Sequence, residues 1–468
     1  MSRLVIVSNR VADLTKSSQS GGLAVGLADA LRERGGVWLG WSGEIADGKS
    51  EPAIEKIDKV ETIGLPLSQK DYSDYYLGYS NSVLWPLFHY RLDLVDYRPA
   101  YFKGYAKVNR AFARALAAQL RPDDIVWVHD YHLILLAEYL RKLGVKNRIG
   151  FFLHIPFPPP DLLAASPNHK ALVDGLFQYD LIGFQTHTDA GNLKRFAEDH
   201  AVVEVIDDNT FRLGERVVIA RRFPIGIDVD VFRGMAEQIP EDVRIDVIRS
   251  NILNRKQIIG VDRLDYSKGL PDRMKAFARL LSQHPELEKR VSFLQIAPPT
   301  REEVGAYGDI RNELEVLTGS INGHFADFNW TPIRYIHRSV PREKLAGLYR
   351  SSHVGFVTPL RDGMNLVAKE YVAAQDPEDP GVLILSQFAG AAEEMREALI
   401  VNPYDTDDMA ERLHEALSMP LEERKRRHAA LFDNIVRYDA RAWLTDFIAT
   451  LERHPANGNG ATVPANAA

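Results

Sequence analysis

Short β-rich apolar runs recur along this chain and alternate with longer stretches of helical periodicity. They are Leu4 to Val7, Ile125 to Val128, Ile149 to Leu153, Ile258 to Val261, Val291 to Ile296, Val354 to Val357 and Val382 to Leu385. Such alternation marks βαβ units, so it predicts an α/β fold of parallel sheets covered by helices. Between the runs, Val108, Phe112, Leu116 and Leu120 recur every fourth residue, as one apolar helix face requires. Further helical stretches follow Gly21, Lys268 and Asn365. The runs form two groups, before about residue 225 and after about residue 257, parted by the charged, proline-punctuated stretch Asp230 to Asn254. Phe223-Pro224-Ile225-Gly226 reads as a stop and turn. Two doubly wound domains facing each other are expected, over 1–232 and 233–445 with the boundary near 225 to 235, and 468 residues suffice for both.

Composition removes several classes. With 45% hydrophobic and 26% charged residues the chain has an ordinary globular make-up, not that of a disordered or collagen-like one. Its formal net charge of −7 offers nothing global to nucleic acid or an anionic membrane. A phosphorylated ligand must therefore meet a local cluster of cations. The absence of cysteine excludes disulfides, thiolate catalysis and zinc-thiolate sites. Leu4 to Val7 is too short for a signal-peptide core and no run approaches ~18 apolar residues, so a cytoplasmic protein is expected. The tail 454–468 is expected to be disordered, having little apolar surface to bury.

The polar residues fall where parallel sheets bind ligands, beyond the carboxyl ends of strands. Ser8-Asn9-Arg10, His129-Asp130-Tyr131-His132 and His154-Ile155-Pro156 follow runs of the first group. Asp262-Arg263-Leu264-Asp265-Tyr266-Ser267-Lys268-Gly269, Pro298-Pro299-Thr300-Arg301 and Thr358-Pro359-Leu360-Arg361-Asp362-Gly363-Met364-Asn365 follow runs of the second. Arg10, Arg263, Lys268, Arg301 and Arg361 at strand exits of an acidic chain point to more than one phosphate group, arginine making forked contacts and lysine a point charge.

Gly21-Gly22-Leu23-Ala24-Val25-Gly26 opens a helix whose backbone N–H groups suit a phosphate or sugar oxygen, although a glycine pair also serves mere tight packing. From Asp362 to Glu370 a helix starting at Asn365 spans at most ~12 Å, so the two acids can grip separate hydroxyl-bearing parts of one ligand; a capped helix with an exposed acid is the plainer alternative. Trp38, Trp41, Tyr76, Trp85 and Phe88 lie among polar loops, as core fillers or as walls for sugar rings, and the turn-type residues around Trp41 and Trp85 favour a pocket wall for those two. Asp228-Val229-Asp230 and Asp405-Thr406-Asp407 imitate phosphatase and metal motifs, but the first lacks the long apolar strand of such phosphatases. His129 and His132 lack a third ligand at metal-site spacing.

Arg10 with the Gly21 to Gly26 segment, Trp41-Ser42-Gly43, Leu84-Trp85-Pro86-Leu87-Phe88-His89-Tyr90, Trp127 to His132, Phe152 to Pro158, Asp262 to Gly269 and Thr358 to Glu370 together resemble the trehalose-6-phosphate synthases, over about residues 2 to 450. The resemblance implies an α/β GT-B glycosyltransferase of two facing Rossmann-like domains with a deep inter-domain cleft, its last helix, 446–453, packing back on the N-terminal domain. It implies transfer of glucose from UDP-glucose to glucose 6-phosphate with retention, giving α,α-trehalose 6-phosphate and UDP. By position, Arg10, Trp41, Tyr76, Trp85, Asp130 and Arg301 hold the acceptor. Gly21, Gly22, His154, Arg263, Lys268, Val340, Asp362, Asn365, Leu366, Val367, Ala368, Lys369 and Glu370 hold the donor, with Glu370 on the ribose hydroxyls. Asp130, His154, Arg263, Lys268 and Asp362 form the catalytic set, and Trp85 and Ile155 set anomer selectivity.

The resemblance further implies a homo-oligomer, a tetramer, with a separate trehalose-6-phosphate phosphatase acting downstream, since the chain is too short for a fused one. No carboxylate announces itself as a nucleophile, which favours front-face substitution, and Arg263 with Lys268 can take the place of a metal. No cofactor, obligatory metal, nucleic acid or membrane partner is expected. The alternatives are another phosphorylated acceptor, as in glucosylglycerol-phosphate synthesis, and a non-catalytic sugar-phosphate sensor.

Overall fold

The computed structural model describes residues 2–11, 27, 31, 34–46, 52–238, 240–244, 254–301 and 303–455. Gly21 and Gly22 lie outside the described residues. The chain forms two compact units, Met1–Pro224 with Trp443–Ala468, and Ile225–Ala442. The helix Val229–Glu237, capped by Asp228, packs on helices of the second unit, with Phe232 6.1 Å from Tyr349.

The first unit holds β1 (Leu4–Arg10), β2 (Gly36–Ile45), β3 (Ala53–Ile57), β4 (Val60–Leu67), β5 (Ile125–His129), β6 (Arg148–Phe152), β7 (Leu181–Phe184), β8 (Glu204–Val205), β9 (Thr210–Leu213) and β10 (Arg216–Arg222). Their order is β3-β4-β2-β1-β5-β6-β7-β10-β9-β8. From β4 to β10 the neighbours run parallel, and the antiparallel strands β3, β9 and β8 finish the two edges. The second unit holds β11 (Lys256–Val261), β12 (Val291–Ile296), β13 (Ile333–Ile336), β14 (Val354–Val357), β15 (Val382–Ser386) and β16 (Leu399–Val401). Their order is β13-β12-β11-β14-β15-β16, parallel throughout. β14 and β15 are buried along their whole length, which is why they read as unbroken apolar runs.

Among the parallel strands of each sheet the order reverses once, between β1 and β5 and between β11 and β14. Loops leaving the carboxyl ends of two such strands diverge and open a crevice between them. Arg10 and Asp130 leave the first pair of ends, and the Asp262 and Thr358 loops leave the second.

Three local expectations change. The helix Pro99–Ala117 buries Val108, Phe112 and Leu116 but stops before Leu120, where Arg121 precedes Pro122 and is pushed away from helical geometry. Trp38 and Trp41 sit on β2, a parallel strand disguised by Gly, Ser and Glu, and Trp85 and Phe88 sit on the helix Trp85–Phe88. His454 is buried, its carbonyl accepting from Arg148 Nε at 2.7 Å, so the ordered chain runs past the expected start of the tail.

The last helix, Ala440–Arg453, lays Trp443, Phe447, Ile448 and Leu451 against the first sheet. Phe447 stacks on Trp127 at 4.4 Å and 12°. A Cβ on Gly150 or Gly183 would lie 2.7 or 2.8 Å from the Phe447 ring, so both strands need glycine there. Among the described residues no helix is long and apolar enough to cross a membrane.

Candidate active site

The second unit builds its site from two loops stitched together. Beyond β11, Asp262 N–H and Leu264 N–H donate to the Ile296 and Pro298 carbonyls at 3.1 and 2.9 Å, holding the loop beside the exit of β12. Asp265 then caps the turn Tyr266–Lys268. Gly269 has φ +64°, and a Cβ there would meet the Thr358 carbonyl at 2.5 Å, so only glycine lets the Lys268 loop lie against the loop leaving β14. Leu360 N–H donates to the Ser267 carbonyl at 2.8 Å across the same seam.

This stitching brings Lys268 Nζ to 2.6 Å from Asp362 Oδ2. Asn365 Nδ2 donates to the same oxygen at 3.0 Å. Asn365 sits at φ +78° and caps the helix Leu366–Ala374 through its Oδ1, which accepts from Ala368 N–H at 3.2 Å. The first turn of that helix therefore faces the Lys268–Asp362 pair, a cation and an array of backbone N–H groups suited to anionic oxygens.

A residue absent from the sequence-based site holds the seam. Arg273 is fully buried; its Nη1 donates to Asp262 Oδ2 at 2.7 Å and Gln295 Oε1 at 3.2 Å, and its Nε donates to Thr358 Oγ1 at 3.1 Å. Burial raises the Asp262 carboxyl above its usual range, with Arg273 and then Lys268 pulling it back. The available signal was an arginine on the apolar face of Leu270–Gln283, beside Leu270, Met274 and Phe277.

The other residues assigned to the donor divide. Glu370 is nearly buried, 4.0 Å from Arg342, and burial pushes its carboxyl up to about 7 against the opposing pull of Arg342. Lys369 turns inward: its fully buried ammonium pairs with Glu394 at 2.5 Å and donates to the Ile225 carbonyl at 2.7 Å. Its side chain anchors the helix Leu366–Ala374, which leaves only its backbone for a ligand. Ala368 is buried, while Leu366 and Val367 are half-buried. Val340 is half-buried just before Pro341, which opens the helix Arg342–Arg350. Arg263 is exposed, and its charge is felt by the Tyr307 hydroxyl. Arg361 lies over the Phe388 ring at 5.2 Å. Arg301 donates to the Tyr307 hydroxyl at 2.9 Å.

In the first unit an aromatic wall stands beside a cation. The Arg10 guanidinium lies 5.6 Å from the Trp41 ring centre. Gly43 at φ +90° makes room for it, since a Cβ there would meet Arg10 Nη2 at 2.5 Å. Trp41, Tyr72, Tyr76 and His132 follow in series: Trp41 is 5.5 Å from Tyr72 and 5.9 Å from Tyr76, and Tyr76 stacks on His132 at 6.0 Å and 13°. Tyr72 was absent from the sequence-based set. It joins because the π-helix Tyr72–Leu84 stacks Tyr72 and Tyr76 at 5.4 Å. Trp85 packs instead on His89 and Tyr131, at 4.2 and 5.7 Å.

Asp130 has φ 76° and ψ 165°, a region that only glycine enters without strain, at a cost of about 1–3 kcal/mol. Its N–H donates to the Phe152 carbonyl at 2.8 Å, and its Oδ1 accepts from His154 N–H at 3.3 Å. Ile155 is buried next to it in sequence. His154 Nε2 and His129 Nδ1 are 3.1 Å apart. Burial pushes His154 down to about 3, so both rings stay neutral and share one proton across that contact. We assign this proton to His129 Nδ1. The reverse tautomer would leave a buried N–H at His129 Nε2, which has no hydrogen-bond partner among the described residues. His154 Nδ1 is then a donor.

The residues that imitate other chemistries have plain roles. Asp228 and Asp405 cap helices. His284, Glu286 and His414 place three ligand-type atoms within 4.8 Å of one another, but the two imidazoles stack at 3.8 Å and 7°, so their lone pairs run side by side instead of converging.

The family model for Glycosyltransferase family 20 matches residues 3–453. A trehalose-6-phosphate synthase of Sodalis glossinidius (strain morsitans) is 47% identical over 459 residues, covering 97% of each chain. A trehalose-6-phosphate protein from E. coli, bound with UDP-2-fluoro glucose, superposes with a TM-score of 0.93 at 45% identity, over 97% of this chain and 99% of that one. An α,α-trehalose-phosphate synthase (UDP-forming) from Burkholderia xenovorans, in complex with glucose-6-phosphate, superposes with a TM-score of 0.90 at 48% identity, over 96% of this chain and 100% of that one.

Two outcomes are expected. Arg273→Met strands the buried Asp262 charge and should destabilise the second unit by about 3–5 kcal/mol, read by urea unfolding; a loss under ~1 kcal/mol would contradict its role as the strut. Asp130→Gly and Asp130→Ala both remove the carboxylate, but only glycine relieves the backbone. The glycine variant should be the more stable by about 1–2 kcal/mol, and equal stabilities would show that no strain is stored there.

Proposed function

The chain belongs to glycosyltransferase family 20, and from that premise we propose that it transfers glucose from UDP-glucose to glucose 6-phosphate with retention, giving α,α-trehalose 6-phosphate and UDP. The observation that carries this reading is Lys268 Nζ 2.6 Å from Asp362 Oδ2, with Asn365 on the same oxygen and the first turn of Leu366–Ala374 beside them. A cation and a helix N-terminus receive the donor diphosphate, and a carboxylate next to them orients sugar hydroxyls.

Negative charge builds on the departing phosphate as the anomeric bond breaks, and a fixed cation there stabilises the transition state by several kcal/mol. Lys268 and Arg263 fill this role, so no divalent ion is needed. The leaving phosphate oxygen takes the acceptor hydroxyl's proton while both remain on one face of the sugar. His154 Nδ1–H steadies a donor hydroxyl, and Asp362 orients its neighbours. Ile155 and Trp85 restrict which anomeric face is presented. Glu370, Val340 and the backbone of Leu366 to Lys369 hold the nucleoside.

On the acceptor side, Arg10 and Arg301 take the phosphate, and Trp41, Tyr76 and Asp130 receive the hexose. A stacked wall of this kind suits the apolar face of a pyranose better than glycerol. Gly21 and Gly22 complete the donor phosphate contacts in this reading. It carries with it a cytoplasmic homotetramer and a separate phosphatase that consumes the product.

The test is a panel of nucleotide-glucose donors crossed with phosphorylated acceptors, scored by nucleotide release and product anomericity, with and without chelator. UDP-glucose with glucose 6-phosphate should give the α,α product at unchanged rate in chelator. Arg263→Ala should lower turnover more than acceptor affinity, and Arg301→Ala the reverse; no nucleotide release with any pair would overturn the reading.

A pH dependence follows from Glu370. Its raised carboxyl pKa means that the group is protonated below about 7, when it accepts poorly from two ribose hydroxyls, and ionised above. UDP-glucose affinity should therefore rise between pH 6 and 8 and become flat in Glu370→Gln. By the same sign, folding stability falls as pH rises from the ordinary carboxyl range through about 7, because only the unfolded chain ionises freely there.

A further inference from the structure

Asp265 is fully buried between two residues assigned to different substrates, and its two oxygens do different work. Oδ1 accepts from Ser267 N–H at 3.0 Å and from Ser267 Oγ–H at 2.9 Å, which fixes the turn that carries Lys268. The Asp265 carbonyl takes Lys268 N–H at 3.0 Å, closing that turn. Oδ2 accepts from the Tyr307 hydroxyl at 3.2 Å, and that hydroxyl accepts from Arg301 Nη1 at 2.9 Å. Arg301 Nη1 is itself 3.8 Å from Asp265 Oδ2, and only 8% of its side chain is exposed.

Arg301 stands at φ 47°, in the left-handed region that few non-glycine residues occupy. Val304 N–H donates to the Arg301 carbonyl at 2.9 Å, and the guanidinium meets Tyr307, which is 1% exposed and sits on the first turn of the helix Gly305–Phe325. Burial first, and then Asp265, raise the phenol above its usual range. It therefore keeps its proton and can donate to a carboxylate while accepting from a guanidinium.

We propose that Asp265 is a positioning residue that sets both substrate cations at once, Lys268 through the capped turn and Arg301 through the Tyr307 hydroxyl. The proposal rests on the assignment of Arg301 to the acceptor's phosphate and of Lys268 to the donor's diphosphate. One carboxylate then fixes the two cations relative to each other, which the alignment of two phosphorylated substrates demands. Neither Asp265 nor Tyr307 needs to touch a substrate.

The test is steady-state kinetics on Tyr307→Phe, Asp265→Asn, Asp265→Ala and Arg301→Ala, varying each substrate in turn. Tyr307→Phe removes only the relay. It should raise the KM for glucose 6-phosphate about two- to tenfold, with kcat and the KM for UDP-glucose within about twofold of the parent. Asp265→Asn keeps an oxygen for Ser267 but loses the charge facing Arg301, so it should raise the glucose 6-phosphate KM more than tenfold and spare the donor side. Asp265→Ala should damage both sides, and the recovery of the donor side by asparagine is a split that simple loss of folding cannot produce. If Arg301→Ala raises the glucose 6-phosphate KM and Tyr307→Phe does not, the relay is wrong. If Arg301→Ala leaves that KM unchanged, the assignment of Arg301 fails and the proposal falls with it.

Discussion

The second unit depends on the seam between the loops that leave β11 and β14. Parallel neighbours with opposite onward connections leave a gap at their carboxyl ends, and here it is bridged instead of left to solvent. Gly269 permits the approach to Thr358, Arg273 ties Asp262, Gln295 and Thr358 together from below, and Lys268 meets Asp362 above. The buried guanidinium is costly to desolvate, and it stays because each loop end gives it a polar partner. Rigidity at this point is what an electrostatic site requires, since cations that need not reorganise are the ones that lower a barrier.

The first unit uses strain and stacking where the second uses ion pairing. Asp130 is forced into a glycine-like conformation between β5 and the His154 loop, so its carboxylate is aimed by the backbone and not by rotamer choice. The neutral His129–His154 pair leaves one ring nitrogen with a defined proton. Beside it, the widened helix Tyr72–Leu84 stacks two tyrosines in a series that ends on Trp41 at one side and His132 at the other. The last helix seals the back of this sheet through Phe447 on Trp127, admitted by Gly150 and Gly183.

Every apolar run singled out by periodicity is a strand, and the polar residues behind those runs do leave carboxyl ends, because a strand buried on both faces writes itself plainly in sequence. β2 stayed hidden, since glycine, serine and glutamate in a strand read as a loop until its neighbours are known. Lys268 beside Asp362 was legible from two motifs, 94 residues apart, that share one kind of strand exit. Arg273, Tyr307 and Tyr72 were not. A buried arginine on an apolar helix face, a tyrosine on another helix and a ring at the start of a π-helix acquire partners only through long-range packing, which no local pattern encodes. Lys369 misled for the converse reason: it lies within a motif whose backbone faces the site while its side chain turns to Glu394.

In the proposed transfer Lys268, steadied by this seam, acts on the leaving phosphate more than on the resting donor. The measurement that bears on it most directly is the single-turnover rate of Lys268→Met at saturating UDP-glucose and glucose 6-phosphate, set beside its UDP-glucose affinity. The rate should fall by about 10²–10³-fold while affinity falls by less than about tenfold, because the interaction strengthens only as charge develops. An unchanged rate, with the whole loss in affinity, would place Lys268 on the resting donor instead.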